Sequence, residues 1–311
     1  MGEWESMSAI IEVERLTKRY GSSRGIDELT FSIDEGEVFG FLGPNGAGKT
    51  TTIRTLVGLL RPNSGRATIG GFDCWSQAPD VHRLIGYLPG EFTLDPSLTG
   101  AQILEYLSYL RGGVEQAYLH MLVERLELDP SRRFREYSRG NKQKVGLVQA
   151  FMHRPRLLIL DEPTSGLDPL NQQEFYRMVA EVKADGRTVF LSSHNLPEVE
   201  HTCDRVGIIR EGRLVKVDAV ASVKDIKVHE VELTFPTSAS ADWFTGVSGV
   251  RSVVSNNGGH GLLVTVQGDL GAVLQAAVQH GAVNLSTREP TLEEVFLRYY
   301  APEGTPVAAN G

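Results

Sequence analysis

The segment Gly43-Pro44-Asn45-Gly46-Ala47-Gly48-Lys49-Thr50 constrains this chain more than any other stretch. It satisfies G-x-x-x-x-G-K-[ST] in full, and it lies between an apolar run, VFGFLG (38–43), and a segment with helical spacing. Glycines at such a turn let successive backbone N–H groups face an anion, and the following helix N-terminus adds a favourable dipole. The pattern predicts a phosphate cradle made by Gly43, Asn45, Gly46, Ala47 and Gly48. Lys49 is expected on the β- and γ-phosphates of a nucleotide, the Thr50 hydroxyl on Mg2+, and Thr51 on a further phosphate oxygen. The loop alone leaves GTPases, kinases, helicases and transporters open.

The surrounding order of elements narrows the fold. Short apolar runs alternate with helical patterns over the first two-thirds, as expected of an α/β architecture with a mainly parallel sheet. IIEVERLTKRYG and IDELTFSIDEGE read as edge strands joined by a turn, and a helix is expected from about Lys49 to Leu60. From about Thr93 to His153 the pattern turns helical. Thr99 is placed to cap a helix with Ile103, Leu104, Leu107 and Leu110 on one side, and a second helix carries Leu119, Leu122, Val123 and Leu126.

Strand character returns at RLLILDE (156–162) and TVFLSSH (188–194). An apolar strand ending in acids puts Asp161 and Glu162 at the carboxyl edge of the sheet, where open α/β sheets bind ligands. Asp161 is expected to hold Mg2+ and Glu162 to polarise the attacking water as general base. His194 ends its strand on the same edge, within reach of a γ-phosphate. Beyond Val223–Lys227, VHEVELTF, VRSVVSNN and HGLLVTVQ read as strands, the last two joined at Gly258-Gly259. DLGAVLQAAVQHG reads as a helix, AVNLST as a strand and TLEEVFLRYY as a final helix, which suggests a small ferredoxin-like or related α+β domain with β-α-β-β-α-β order.

Composition removes several classes. A net charge of −8 argues against a general nucleic-acid binder, which needs a basic face, so no nucleic acid is expected as a partner. Two cysteines far apart, Cys74 and Cys203, offer neither a metal spacing nor a disulfide framework. No stretch approaches the ~20 apolar residues that span a bilayer, and MGEWESMSA lacks the apolar core of a signal peptide.

With these motifs in this order the chain resembles the ATP-binding subunit of an ABC transporter, in particular exporter-type subunits that carry an extra C-terminal domain. Tyr137-Ser138-Arg139-Gly140-Asn141-Lys142-Gln143-Lys144 resembles the family's signature, with Arg139 in place of its first glycine and Asn141 in place of glutamine. The resemblance implies that Ser138, Gly140 and Asn141 close on the γ-phosphate held by an opposite subunit. It implies likewise that Ser165-Gly166-Leu167-Asp168 links the two sites, and that Tyr20 stacks on adenine. One departure stands out: Ile85-Gly86-Tyr87-Leu88-Pro89 continues with Gly90-Glu91, where the family usually places a glutamine that touches the metal and the transmembrane partner. Glu91 is then the candidate oxygen donor at the metal.

The implied fold is a P-loop NTPase (ABC ATPase) core with a helical subdomain, plus a small C-terminal α+β domain. Its expected bounds are 9–223 for the ATP-binding domain with the helical subdomain at about 93–154, 224–300 for the accessory domain, and 301–311 for a disordered tail. The implied function is an ATP-binding and ATP-hydrolysing subunit, using ATP and Mg2+, that energises a membrane exporter through ATP-driven dimerisation. Its partners would be a second copy or paired ATPase subunit and separate polytopic permease subunits, at the cytoplasmic face of the cell membrane. The alternative is a soluble ABC-type ATPase acting on ribosomes or DNA.

Overall fold

The computed structural model describes residues 9–21, 23–224 and 228–288. The chain divides into two compact units, Met1–Asp218 and Ala219–Gly311. The expected final helix TLEEVFLRYY and the tail lie outside the described residues.

The first unit opens with strands β1 (Ala9–Tyr20), β2 (Ser23–Asp34) and β3 (Val38–Leu42), then helix α1 (Lys49–Leu56). β4 (Ser64–Ile69), β5 (Phe72–Asp73), α2 (Ala78–Leu84) and β6 (Ile85–Leu88) follow. Three helices, α3 (Gly100–Leu110), α4 (Gln116–Arg125) and α5 (Arg139–Phe151), separate β6 from β7 (Leu157–Asp161). Then come α6 (Pro169–Ala184), β8 (Thr188–Ser193), α7 (Leu196–Thr202), β9 (Arg205–Arg210) and β10 (Arg213–Ala219).

These strands form two sheets. One has order β10-β9-β3-β8-β7-β6, with β9, β3, β8, β7 and β6 parallel. Its central strands β3, β7 and β8 are buried at every residue, because both faces are covered and an apolar run then has no solvent side. The other sheet is antiparallel, order β2-β1-β4-β5. The expectation of edge strands at the N-terminus is therefore corrected for β1, which pairs with β2 on one side and β4 on the other.

The two sheets share an apolar layer. Phe31 of β2 stacks against Phe39 and Phe41 of β3 and Phe190 of β8, with centroid separations from 5.6 to 6.4 Å. On the other face of the parallel sheet, Ile103, Leu104, Leu122, Val145 and Val148 of the helical segment pack with Leu160 and Phe175. Thr99 caps α3 through a capping box with Gln102, as its sequence position suggests. Leu110 departs from the expected apolar side: it is 60% exposed at the last residue of α3. Helix α1 also stops short of Leu60. Gly58, at φ 72°, takes the left-handed conformation, and a Cβ there would meet the Cys74 carbonyl at 2.6 Å.

The second unit begins with α8 (Val220–Lys224) and carries β11 (Val228–Thr234), β12 (Val250–Asn256), β13 (Gly261–Gln267), α9 (Gly271–Gln279) and β14 (Asn284–Arg288). Its antiparallel sheet has order β12-β13-β11-β14. Between β11 and β12 stands only a short 3-10 turn, Ala241–Phe244, where the ferredoxin-like reading requires a helix. Phe244 from that turn and Val273 and Ala277 of α9 close over Val231, Leu233, Leu262 and Val264. The apolar alternation of the strands thus supplies one buried face.

Candidate active site

β3 runs buried to Leu42 and stops at a turn whose backbone favours glycine. Gly46 (φ 80°) and Gly48 (φ 112°) sit in left-handed conformations, and Gly48 serves as the N-cap of α1. The turn places Lys49 at the helix start with only 5% of the residue exposed. Its ammonium folds back over the loop, donating to the carbonyls of Gly43 (2.6 Å) and Pro44 (3.2 Å), and lies 3.5 Å from Glu162 Oε1. Burial pulls the Lys49 pKa below the usual lysine range, and the carboxylates of Glu162 and Asp161 oppose that shift.

Asp161 ends β7, beside β8. Ser192 donates its hydroxyl to Asp161 Oδ1 at 2.5 Å, and the same Ser192 accepts from the Glu162 backbone N–H through both its carbonyl and its Oγ. Asp161 is 1% exposed, and its second oxygen, Oδ2, is buried with no hydrogen-bond partner. An orphaned carboxylate oxygen is costly in a protein interior unless something else meets it, and a divalent cation is the fitting group. Gly90 packs against this oxygen: a Cβ at Gly90 would lie 3.0 Å from Asp161 Oδ2. Glycine at this position therefore has a local steric reason. Glu91, next along, is exposed, and Thr50 is half-buried on the first turn of α1.

Glu162 sits at φ 51°, a left-handed conformation that costs a non-glycine residue about 1–2 kcal/mol. The following Pro163 narrows its freedom further. The Glu162 carboxylate reaches the loop. There Oε1 meets Lys49 on one side and His194 Nδ1, at 3.2 Å, on the other. His194 is 53% exposed, so its ring stands at the open edge of the cluster.

The structure thus brings together Lys49, Asp161, Glu162 and His194, as their sequence positions suggest. Tyr20 lies near the loop, its hydroxyl 3.4 Å from Thr51 Oγ1, and the residue is 46% exposed. Ser138, Gly140 and Asn141 are brought elsewhere, against residues 165–166. Ser138 caps α5 by accepting from the Asn141 N–H (3.2 Å). Arg139 donates to Ser165 Oγ (2.7 Å), and a Cβ on Gly140 would lie 2.5 Å from the Gly166 carbonyl. Asp168 is the N-cap of α6, accepting from the N–H groups of Leu170 and Asn171 and from the Asn171 side-chain amide. Those bonds hold its carboxyl below the usual range.

Three supporting residues escape sequence reasoning. Ser192 orients Asp161. Gln143 of α5, 6% exposed, donates to the carbonyls of Glu162 (3.1 Å) and Pro163 (2.9 Å). Glu198 of α7, 1% exposed, accepts from Ser193 Oγ, and burial raises its carboxyl pKa to about 7 against the opposing bonds from Ser193 and Thr164. The polar pair Ser192-Ser193 at the end of an otherwise apolar strand is the one signal in the sequence that points toward them.

A glycine-rich anion cradle, a buried lysine and a strand-end Asp-Glu pair define a P-loop nucleotide-binding protein. Comparison with known proteins narrows the class. The family model described as ABC transporter matches residues 26–165. YdbJ of Bacillus subtilis (strain 168), an ABC transporter ATP-binding protein, is 36% identical over 76% of this chain and 78% of its own length. BcrA of Bacillus licheniformis, a bacitracin transport ATP-binding protein, is 39% identical over 68% and 70%. LnrL of Bacillus subtilis (strain 168), a linearmycin resistance ATP-binding protein, is 30% identical over 93% and 97%. A solved ATP-binding subunit of an ABC transporter superposes with TM-score 0.65 at 33% identity, covering 69% of this chain and 92% of that one. The chain belongs to the ATP-binding subunits of ABC transporters, and it is an ABC-type ATPase.

Proposed function

We propose that this chain energises an ABC-type membrane exporter by binding and hydrolysing ATP between two copies, or paired ATPase subunits. They would be held at the cytoplasmic face of the membrane by separate polytopic permease subunits. The observation that carries the reading is the single Glu162 oxygen flanked by Lys49 and His194. A water between that carboxylate and a γ-phosphate would lose its proton to Glu162, while Lys49 and the loop N–H groups take up the charge growing on the phosphate oxygens. His194, at the exposed edge, reaches the γ-phosphate and reports its presence to Glu162.

Thr50 and Asp161 would hold Mg2+, with Glu91 as a further oxygen donor, and the ion when bound would neutralise phosphate charge. The buried, unpartnered Oδ2 of Asp161 fits that assignment. Ser138, Gly140 and Asn141, at the exposed start of α5, supply the second half of a site in the opposite copy, with Asp168 on the adjoining loop. Tyr20 supplies a face for the adenine.

Export as the direction is supported by relatives whose names record bacitracin transport and linearmycin resistance. Separate permease subunits are supported by an open groove of about 1100 Å3 between α2 and the helical segment, with Arg83, Tyr87, Leu107, Leu110, Arg111 and His153 among its lining. No helix among the described residues is long and apolar enough to cross a membrane.

Glu162→Gln tests the reading. Loss of the base is expected to lower kcat about 10²–10⁴-fold while ATP stays bound and the paired state persists. Rapid residual turnover would remove Glu162 as the base. Co-purification with ribosomes in place of a polytopic membrane protein would overturn the transporter assignment.

A further inference from the structure

Glu162 is held from a direction that the ATP-binding loop does not explain. Its N–H is tied to Ser192 on β8, and its carbonyl accepts from the Ser165 N–H (3.1 Å) and from the Gln143 side chain (3.1 Å). Gln143 uses one amide nitrogen for two carbonyls, Glu162 and Pro163. Both partners are pure acceptors, so the amide must present its NH2 group here. The residue whose carbonyl is gripped is the one in the left-handed conformation (φ 51°). Such a conformation persists only where the surroundings over-determine it. Gln143 is buried, so no water stands ready to replace its two bonds.

The amide reaches Glu162 from α5, the helix whose first turn carries Ser138, Arg139, Gly140 and Asn141. That first turn is locked to the 165–166 loop by the Arg139–Ser165 bond and by the close approach of Gly140 to Gly166. A helix moves as a rigid element. A shift of its N-terminus would therefore carry Gln143 and, through it, the Glu162 backbone.

We infer that Gln143 is a positioning residue for hydrolysis: it fixes the backbone of Glu162 and transmits the placement of the α5 N-terminus to that carboxylate. The inference rests on the reading of Glu162 as the base. Gln143 touches no substrate in this scheme, and its effect appears in the chemical step rather than in ATP affinity.

The test uses the full chain with Gln143→Met, which keeps length and removes both donors, and Gln143→Lys, which keeps donors at similar reach. Each is made alone and combined with Glu162→Gln. ATP affinity by equilibrium binding, KM, kcat and the thermal midpoint are measured for all. Misplacing a reacting group by about 1 Å costs up to about 10²-fold. Gln143→Met is therefore expected to lower kcat about 10- to 100-fold, with KM and ATP affinity within about twofold, and Gln143→Lys to recover most of the loss.

In the Glu162→Gln background the same change is expected to alter the residual rate less than about twofold, because the group it positions has gone. An active wild type with unchanged kcat in Gln143→Met overturns the inference. So does an equal factor in both backgrounds, which would mark a general structural effect. If Gln143→Met does not fold, equal loss in Gln143→Lys and Gln143→Glu overturns it, and retention in Gln143→Lys alone supports it. A Glu162→Gln chain that keeps turning over nearly as fast as the wild type refutes instead the assignment of Glu162 as the base, and the inference falls with it.

Discussion

The two polar ends of the ATP-binding unit are built differently. Around Lys49, side chains from α1 and the ends of β7 and β8 converge, and most of them are buried: Lys49 5%, Asp161 1%, Ser192 0% exposed. Around Ser138 the helix start is exposed, and its bonds run sideways to residues 165–166. The first end is organised within its own chain. The second leaves Ser138 exposed at a helix start, and under the proposed function it acts only when another copy brings an anion to it.

The contrast is sharpest under substitution. Lys49→Ala removes the buried cation and is expected to weaken ATP binding itself, by about two orders of magnitude for a charge-assisted contact worth roughly 3 kcal/mol. Ser138→Arg fills the exposed helix start and is expected to leave ATP binding by the single chain within about threefold while turnover collapses. Equal loss of binding in both variants would break the distinction between the two ends.

A smaller effect probes the buried side alone. The Glu198 carboxyl is raised from an ordinary value of 4.5 to about 7 by burial, and it lies behind His194 and Glu162. Between those values the folded chain binds more protons at this site than the unfolded one. Its contribution to stability is thus fully present below about 4.5 and is lost as pH rises through about 7. Glu198→Gln mimics the neutral form at every pH. The variant is expected to gain on the parent chain as pH rises from 5 to 8, by at most roughly 3 kcal/mol, read as a difference in urea midpoints. A gap that does not change with pH would show that Glu198 stays ionised in the folded state.

What was legible beforehand follows the same division. The phosphate loop, Asp161-Glu162 and His194 each lie where an apolar strand ends, and strand ends are local features. Gln143 and Glu198 were not legible. Each lies on a helix, and its meaning comes from a carbonyl or hydroxyl 20 and 5 residues away that only the packed sheet brings near. Gly90 reads in sequence as a missing glutamine, whereas in the fold it packs closely on Asp161, where a Cβ would lie 3.0 Å from Oδ2. The misassigned edge at β1 has a related cause. Its alternating face fits one partner strand as well as two, and the pairing with β4 across some fifty residues leaves no mark on β1 itself.

The central claim is that the exposed end of one copy completes the buried end of another. Mixing Lys49→Ala chains with Ser138→Arg chains tests it directly, because each variant retains the half that the other lacks. Each alone should be inactive, and the mixture should recover ATP turnover to about a quarter of the wild-type rate, the share expected from random pairing with one intact site per mixed pair. A mixture whose copies demonstrably pair and yet hydrolyse no more ATP than either variant alone would contradict the account.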